Sequence, residues 1–127
     1  MARVLGLGGV FFKAADPEKL GAWYQEWLDL PVEHPYGASL KHDRLPGNAY
    51  SVWSPFKRDT TYFAPSDQTF MINLIVDDLD GCLARVREGG AEVMPDTEDS
   101  EFGRFGWFLD PEGNKVELWQ PPASADA

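Results

Sequence analysis

The sequence predicts an α+β domain built from two similar units, each a strand, a helix and two or three further strands, with the helices on one face of a curved sheet. Three observations predict this. The first is an internal repeat: the run from Gly47 to Pro55 lies over the run from Gly113 to Pro121, with Gly, Asn, Trp and Pro identical and Val matched by Leu. Repeats of a supersecondary unit are the first thing a fold reading must find. The second is that Gly9 to Asp16 lies over Met71 to Asp78, each an apolar run closing on an aspartate. The two offsets, 62 and 66 residues, differ only by a loop's worth of chain, a small entropic difference. The third is that a helical apolar period follows each of those aspartates.

In chain order, the apolar run Val4 to Phe12 reads as the first strand, although Gly6, Gly8 and Gly9 interrupt it. Asp16 suits a helix N-cap, with Pro17 at the first helical position and Glu18 where the dipole favours a negative charge. Leu20, Trp23, Tyr24, Trp27 and Leu28 then make one apolar face, assigned to the core. Strands follow at Gly37 to Lys41 and Tyr50 to Ser54, and Ala64 to Gln68 links the halves. The second unit opens with a strand from Met71. Asp78 caps its helix, which turns Leu79, Cys82, Leu83 and Val86 inward and stops at Gly89-Gly90. Strands at Phe105 to Leu109 and Lys115 to Trp119 close the chain around the turn Asp110 to Asn114. The units span residues 3–63 and 69–121 of a single domain over 1–127, with 122–127 a short tail.

Composition narrows the partners. The chain of 127 residues carries 11 basic and 21 acidic side chains, a net charge of -10 and a pI near 4.4. Such a surface repels phosphate backbones and anionic lipid, so neither nucleic acid nor membrane is expected as a partner. Cys82 is the single cysteine, which excludes a disulfide framework and a multi-cysteine zinc site. The N-terminal apolar run lacks a small-residue cleavage site, and no stretch reaches the roughly 18 apolar residues of a membrane span. A soluble, cytoplasmic protein is the expectation.

Strand alternation places the candidate site residues. Ser51 and Glu117 share a repeat position, and Trp53 and Trp119, two residues on, point the same way, toward the open face of the sheet. Met71 and Asn73 share a parity and face the same cup. Asn73 needs a partner for its amide, for which a ligand or Glu117 serves. Phe102, Arg104, Phe105 and Trp107, set among Gly103 and Gly106, form a segment expected to close over a ligand and lend it the Arg104 cation, or else to pack its aromatics on a dimer partner. Glu117 is the candidate general acid or base; the plain alternative is a strand residue paired with Arg104 or hydrogen-bonded to a neighbouring strand. His34 and His42, the only histidines, lie eight apart in a polar segment, a spacing unlike a helical zinc pair. Cys82 reads as a small buried hydrophobe. The glycines at 6, 8 and 9 do not fit a dinucleotide loop, because Phe11 stands where the third glycine belongs. The acidic run Asp96 to Glu101 reads as a solvated loop.

The capped helix from Asp16 to Leu30, the run Val76-Asp77-Asp78-Leu79-Asp80 and above all Phe108 to Trp119, with its Asp110-Pro111-Glu112-Gly113-Asn114 turn, resemble the vicinal oxygen chelate superfamily of glyoxalase I, extradiol dioxygenases and bleomycin resistance proteins. The resemblance covers nearly the whole chain. It implies paired βαβββ modules forming a cup, commonly completed as a homodimer. It also implies, in metal-dependent members, a divalent ion held by one residue from the first and one from the last strand of each module. Those positions here are Gly9, Ser51, Met71 and Glu117, of which only Glu117 is a good ligand for a hard cation. The expectation is therefore a protein without the family's metal or other cofactor, binding a small, partly apolar organic molecule in an aromatic cup. The alternative is a metal-dependent lyase, isomerase or dioxygenase with one divalent ion near Glu117. A third reading is an interaction subunit whose cup is filled by its own side chains.

Overall fold

A computed structural model describes residues 2–33 and 37–123. The order of elements is α1 (Pro17–Leu28), β1 (Val32–Glu33), β2 (Gly37–Ala38), a 3-10 turn at His42–Arg44, β3 (Ile72–Ile75), α2 (Leu79–Glu88), β4 (Glu92–Val93), β5 (Glu98–Ser100), β6 (Gly103–Leu109) and β7 (Lys115–Gln120). The class is α+β, with two helices against a mixed sheet, as the repeat predicts. His34 and residues 124–127 of the expected tail lie outside the described residues.

Both helices start as their sequences dictate. The Asp16 carboxylate accepts from the Lys19 amide at 3.0 Å and the Asp78 carboxylate from the Gly81 amide at 3.1 Å, each satisfying a donor that the first turn leaves without a partner. Helix α1 ends at Asp29 in the left-handed conformation (φ 54°), and α2 stops at Gly89-Gly90, where Gly90 takes φ 92°.

The main sheet runs in the order β3-β7-β6-β4, with β5 also on β6. Strands β6 and β7 form the long hairpin predicted around the 110–114 turn, paired from Arg104↔Gln120 to Leu109↔Lys115. That turn is locked from below. The buried Asp110 carboxylate accepts from the amides of Glu112 and Asn114, the Asn114 side chain and the Tyr24 hydroxyl at 2.8 Å. Burial, and then the neighbouring Asp110 charge, hold the Tyr24 phenol far above its ordinary pKa. Glu112 reaches out of the same turn to accept from the amides of Ala15 and Asp16, tying the start of α1 to the hairpin.

Alternation along β6 and β7 divides the sheet into two faces. Phe108, Val116 and Leu118 face the helices and form the core with Leu20, Tyr24, Leu79, Leu83 and Val86, all at most 8% exposed. Gly106 belongs to this face because a side chain there would press on Leu83 and Leu79. Trp23 packs on Phe108 and donates its indole N–H to the Gly89 carbonyl at 2.9 Å, joining the two helices. Phe105, Trp107, Lys115, Glu117 and Trp119 occupy the opposite face.

The first half departs from its predicted strands. The runs Val4 to Phe12 and Tyr50 to Ser54 enter no ladder, and only Gly37–Ala38 of the predicted Gly37 to Lys41 strand pairs, with Val32–Glu33. Three glycines weaken the first run as a strand. Its apolar side chains stand in solvent, with Val4 and Leu5 88% exposed and Phe11 96%. Pairing and burial make a strand, and among the described residues these segments have no ladder partner and little burial. Among the described residues no helix is long and apolar enough to cross a membrane.

Candidate ligand-binding site

The face of the sheet away from the helices is organised around Glu117. Strand β7 lies between β3 and β6, so Glu117 has Asn73 beside it on one side and Trp107 on the other. Asn73 donates its amide N–H to one carboxylate oxygen at 2.6 Å, and Trp107 donates its indole N–H to the other at 2.8 Å. A third donor arrives from outside the sheet: the Tyr62 hydroxyl gives its proton to the same oxygen as Trp107, at 2.6 Å. Hydrogen bonds to an ionised acceptor are each worth about 1.5–3 kcal/mol, so a carboxylate only 8% exposed is well supported here. Burial, followed by the hydrogen bond and charge of Glu117, holds the Tyr62 phenol well above its ordinary range, so it stays a neutral donor.

Aromatic rings wall this node. Tyr62 meets Trp107 edge-on at 6.2 Å between centroids and stacks on Phe56 at 5.5 Å. Further along β7, Trp119 stacks on Phe105 (5.9 Å, interplanar angle 8°), meets Tyr50 edge-on at 5.1 Å and donates its indole N–H to the Phe102 carbonyl at 2.7 Å. Lys115 stands two residues before Glu117 on the same face. Its ammonium lies 5.3 Å from the Tyr62 ring centre and 5.6 Å from that of Trp107, and donates to the Tyr62 carbonyl at 2.6 Å. Contacts of this kind are worth about 0.5–2 kcal/mol. Tyr62, Trp107 and Lys115, with Met94, Pro95 and Asp96, line an open depression of about 290 Å³. That volume is near the lower end of small-molecule sites, about 300–1,000 Å³. A second depression of about 340 Å³, between Val10 to Lys13 and Gln68 and Phe70, contains none of the predicted site residues.

Of the predicted residues, the fold brings together Glu117, Asn73, Trp107 and Trp119 on one face. Met71 precedes β3 and is half-buried, while Ser51 is exposed and Trp53 is 79% exposed. Arg104 requires a correction. It occupies the helix-facing parity of β6 and forks Asp80 of α2 at 3.0 Å and Asp99 of β5 at 3.1 Å, so its charge is not offered to the cup. Glu117 takes no partner from Arg104; two of its three donors, Asn73 and Trp107, come from the neighbouring strands and the third, Tyr62, from outside the sheet. Cys82 is half-buried beside the core, and its burial pushes the thiol pKa up, as for an inert cysteine. His42 opens the 3-10 turn, and no buried residue belongs to that turn.

Tyr62 and Lys115 belong to this face although neither is among the residues the sequence singles out. Lys115 shares the parity of Glu117, which was the available signal. Tyr62 comes from an irregular segment and offers none.

The residues at the family's metal positions do not make a donor set for a divalent ion. Gly9 has no side chain, Met71 offers a soft thioether, Ser51 a neutral hydroxyl, and Glu117 already receives three neutral donors. Among the described residues no three His, Cys, Asp or Glu side chains gather in a group able to hold a metal ion.

Comparison with known proteins agrees with the architecture. A family model described as a glyoxalase-like domain matches residues 9–119. The chain is similar to TnmS3, an antibiotic binding protein from Streptomyces sp. CB03234, at 24% identity and a TM-score of 0.52, covering 86% of this chain and 89% of that one. It is also similar to a protein from the mobile metagenome of V. Pseudocholerae (18% identity, TM-score 0.58, 97% and 99% covered) and to an integron cassette protein of V. Cholerae (18%, 0.57, 94% and 98%). None of the curated protein sequences matches it. At these identities the structural likenesses speak for the fold alone, whereas the family match spans most of the chain from the first predicted strand to the last. The chain belongs to the glyoxalase-like domain family.

Proposed function

We propose that this protein binds a small, partly apolar organic molecule on the aromatic face around Glu117, and does so without a metal ion. The observation that carries the reading is the state of Glu117: its carboxylate is held by Tyr62, Asn73 and Trp107, three neutral donors that a divalent ion would have to displace. Two carboxylate oxygens offer about four acceptor positions, so one remains for a ligand's N–H or O–H. Tyr62 and Trp107 supply flat apolar walls beside it, and the antibiotic-binding activity of TnmS3 supports small-molecule capture as a use of this fold. Glu117 thus serves as a fixed hydrogen-bond acceptor that orients the ligand, and as the general base of any proton transfer the ligand undergoes.

The test is titration of uncharged 2-naphthylmethanol into the protein with tryptophan fluorescence as the signal. Saturable quenching, with a changed amplitude in Trp107→Phe, is expected. Quenching that only rises linearly with concentration contradicts the reading and favours the third one, in which the chain fills its own cup. The seat of Tyr62 on Glu117 is the observation in favour of that alternative.

The same reading includes a cytoplasmic homodimer. The large apolar side chains most exposed among the described residues, Val4, Leu5, Phe11 and Trp53, all belong to the first half, and β3 is an edge strand with one unpaired side. An unpaired apolar run and an open sheet edge in one chain are complementary across two copies. Sedimentation should show a dimer that Phe11→Asp weakens; a monomer at all concentrations would contradict it.

A further inference from the structure

We propose that the depression beside Tyr62, Trp107 and Lys115 selects a planar aromatic ligand carrying one anionic group, a carboxylate or phenolate, which Lys115 receives. This rests on the proposed function and adds the charge of the ligand. Four observations converge on it. The Lys115 ammonium lies at the ring faces of Tyr62 and Trp107, and both of those rings also line the depression, so a flat ligand seated there is brought to Nζ. Only one of its N–H groups is given to a protein acceptor, the Tyr62 carbonyl. Among the described residues no carboxylate lies within ion-pair distance of it, in contrast to Arg104, whose charge is taken up by Asp80 and Asp99. Finally, the ammonium is partly withdrawn from water, which pulls its pKa down against the opposing charge of Glu117.

Asp96 lines the same depression and would argue for a cationic ligand, but it is exposed to solvent. A ligand charge is attracted more by the less hydrated group, and half-buried Lys115 is less hydrated than exposed Asp96. The net charge of -10 repels anions only at long range; within a Debye length of about 8 Å at physiological salt the nearest charge decides.

Three probes of one shape test this: 2-naphthoate, 2-naphthylmethanol and 2-naphthylmethylammonium, titrated against the whole chain by tryptophan fluorescence. The expected order is naphthoate tightest, by about tenfold over the alcohol, the worth of one charge-assisted hydrogen bond. In Lys115→Gln that ratio should fall to about one, and in Lys115→Arg it should persist. The wild-type order alone decides should the Gln variant fail to fold. If the alcohol binds as tightly as naphthoate, or the ammonium binds tightest, the anion proposal is overturned while small-molecule binding stands. If none of the three binds, the proposed function fails and the charge preference with it.

Discussion

The two halves of this chain carry the same repeat and meet different fates. In the second half, Met71 to Trp119 becomes an edge strand, a helix and a long hairpin, and Phe108, Val116 and Leu118 are at most 1% exposed. The first half gives one helix and one pair of two-residue strands, its repeat-matched runs form no strand, and Phe11 and Trp53 stand in solvent. The helices are equivalent because an Asp cap and an i, i+3, i+4 face are local properties, complete within about a dozen residues. The strands differ because a strand is completed by its neighbours. Strand β7 has β3 and β6 on either side, whereas the run Val4 to Phe12 has no partner among the described residues. The repeat thus encodes elements and not their pairing.

This contrast can be broken by mutation. The largest effect is expected from Phe108→Ala, which leaves a cavity among both helices and the sheet and should cost about 3–5 kcal/mol in urea unfolding. Phe11→Ala, an identical chemical change at a position 96% exposed, should stay within about 0.5 kcal/mol at concentrations where the chain is monomeric. Equal losses at the two sites would mean that the first half is packed far more tightly than described.

Next in size is Tyr24→Phe, which takes one of four donors from the buried Asp110 and should cost about 1–3 kcal/mol. It also carries a pH signature. The Tyr24 and Tyr62 phenols are raised above their unfolded value near 10, so the stability they contribute is full below pH 10 and is lost as pH rises beyond it. The wild type should therefore weaken steeply above pH 10, and Tyr24→Phe or Tyr62→Phe should flatten that limb; an unchanged slope in both variants would contradict the assignment. Smallest of all is Arg104→Ala. Because its ion pairs are on the helix side and exposed, the affinity for any ligand on the Glu117 face should not move, and a measurable loss would return Arg104 to the site.

Sequence alone made the α+β class, both helix caps, the terminal hairpin and the buried helix faces legible, because each rests on spacing within a short stretch. It also placed Asn73 and Glu117 on one face, and their strands prove adjacent and in register. Closeness along the chain groups Arg104 with Phe105 and Trp107, but alternation sends Arg104, Gly106 and Phe108 to the helices and Phe105 and Trp107 to the cup. Lys115 is legible by the same parity as Glu117. Tyr62 was not legible, since its irregular segment folds back over β7 through contacts more than fifty residues apart in sequence. The apolar runs of the first half read as strands because apolar character is local to a segment, whereas the partner that completes a strand is not.

The central claim is that Glu117 is a hydrogen-bonded anchor for an organic ligand and not a metal ligand. Calorimetric titration of chelator-stripped protein with Ni²⁺, Mn²⁺ and Zn²⁺, with Glu117→Ala as the control, tests it most directly. Heats indistinguishable from those of the variant are predicted. Tight one-to-one binding that disappears in Glu117→Ala would contradict the account and turn the search toward metal-dependent chemistry at that carboxylate.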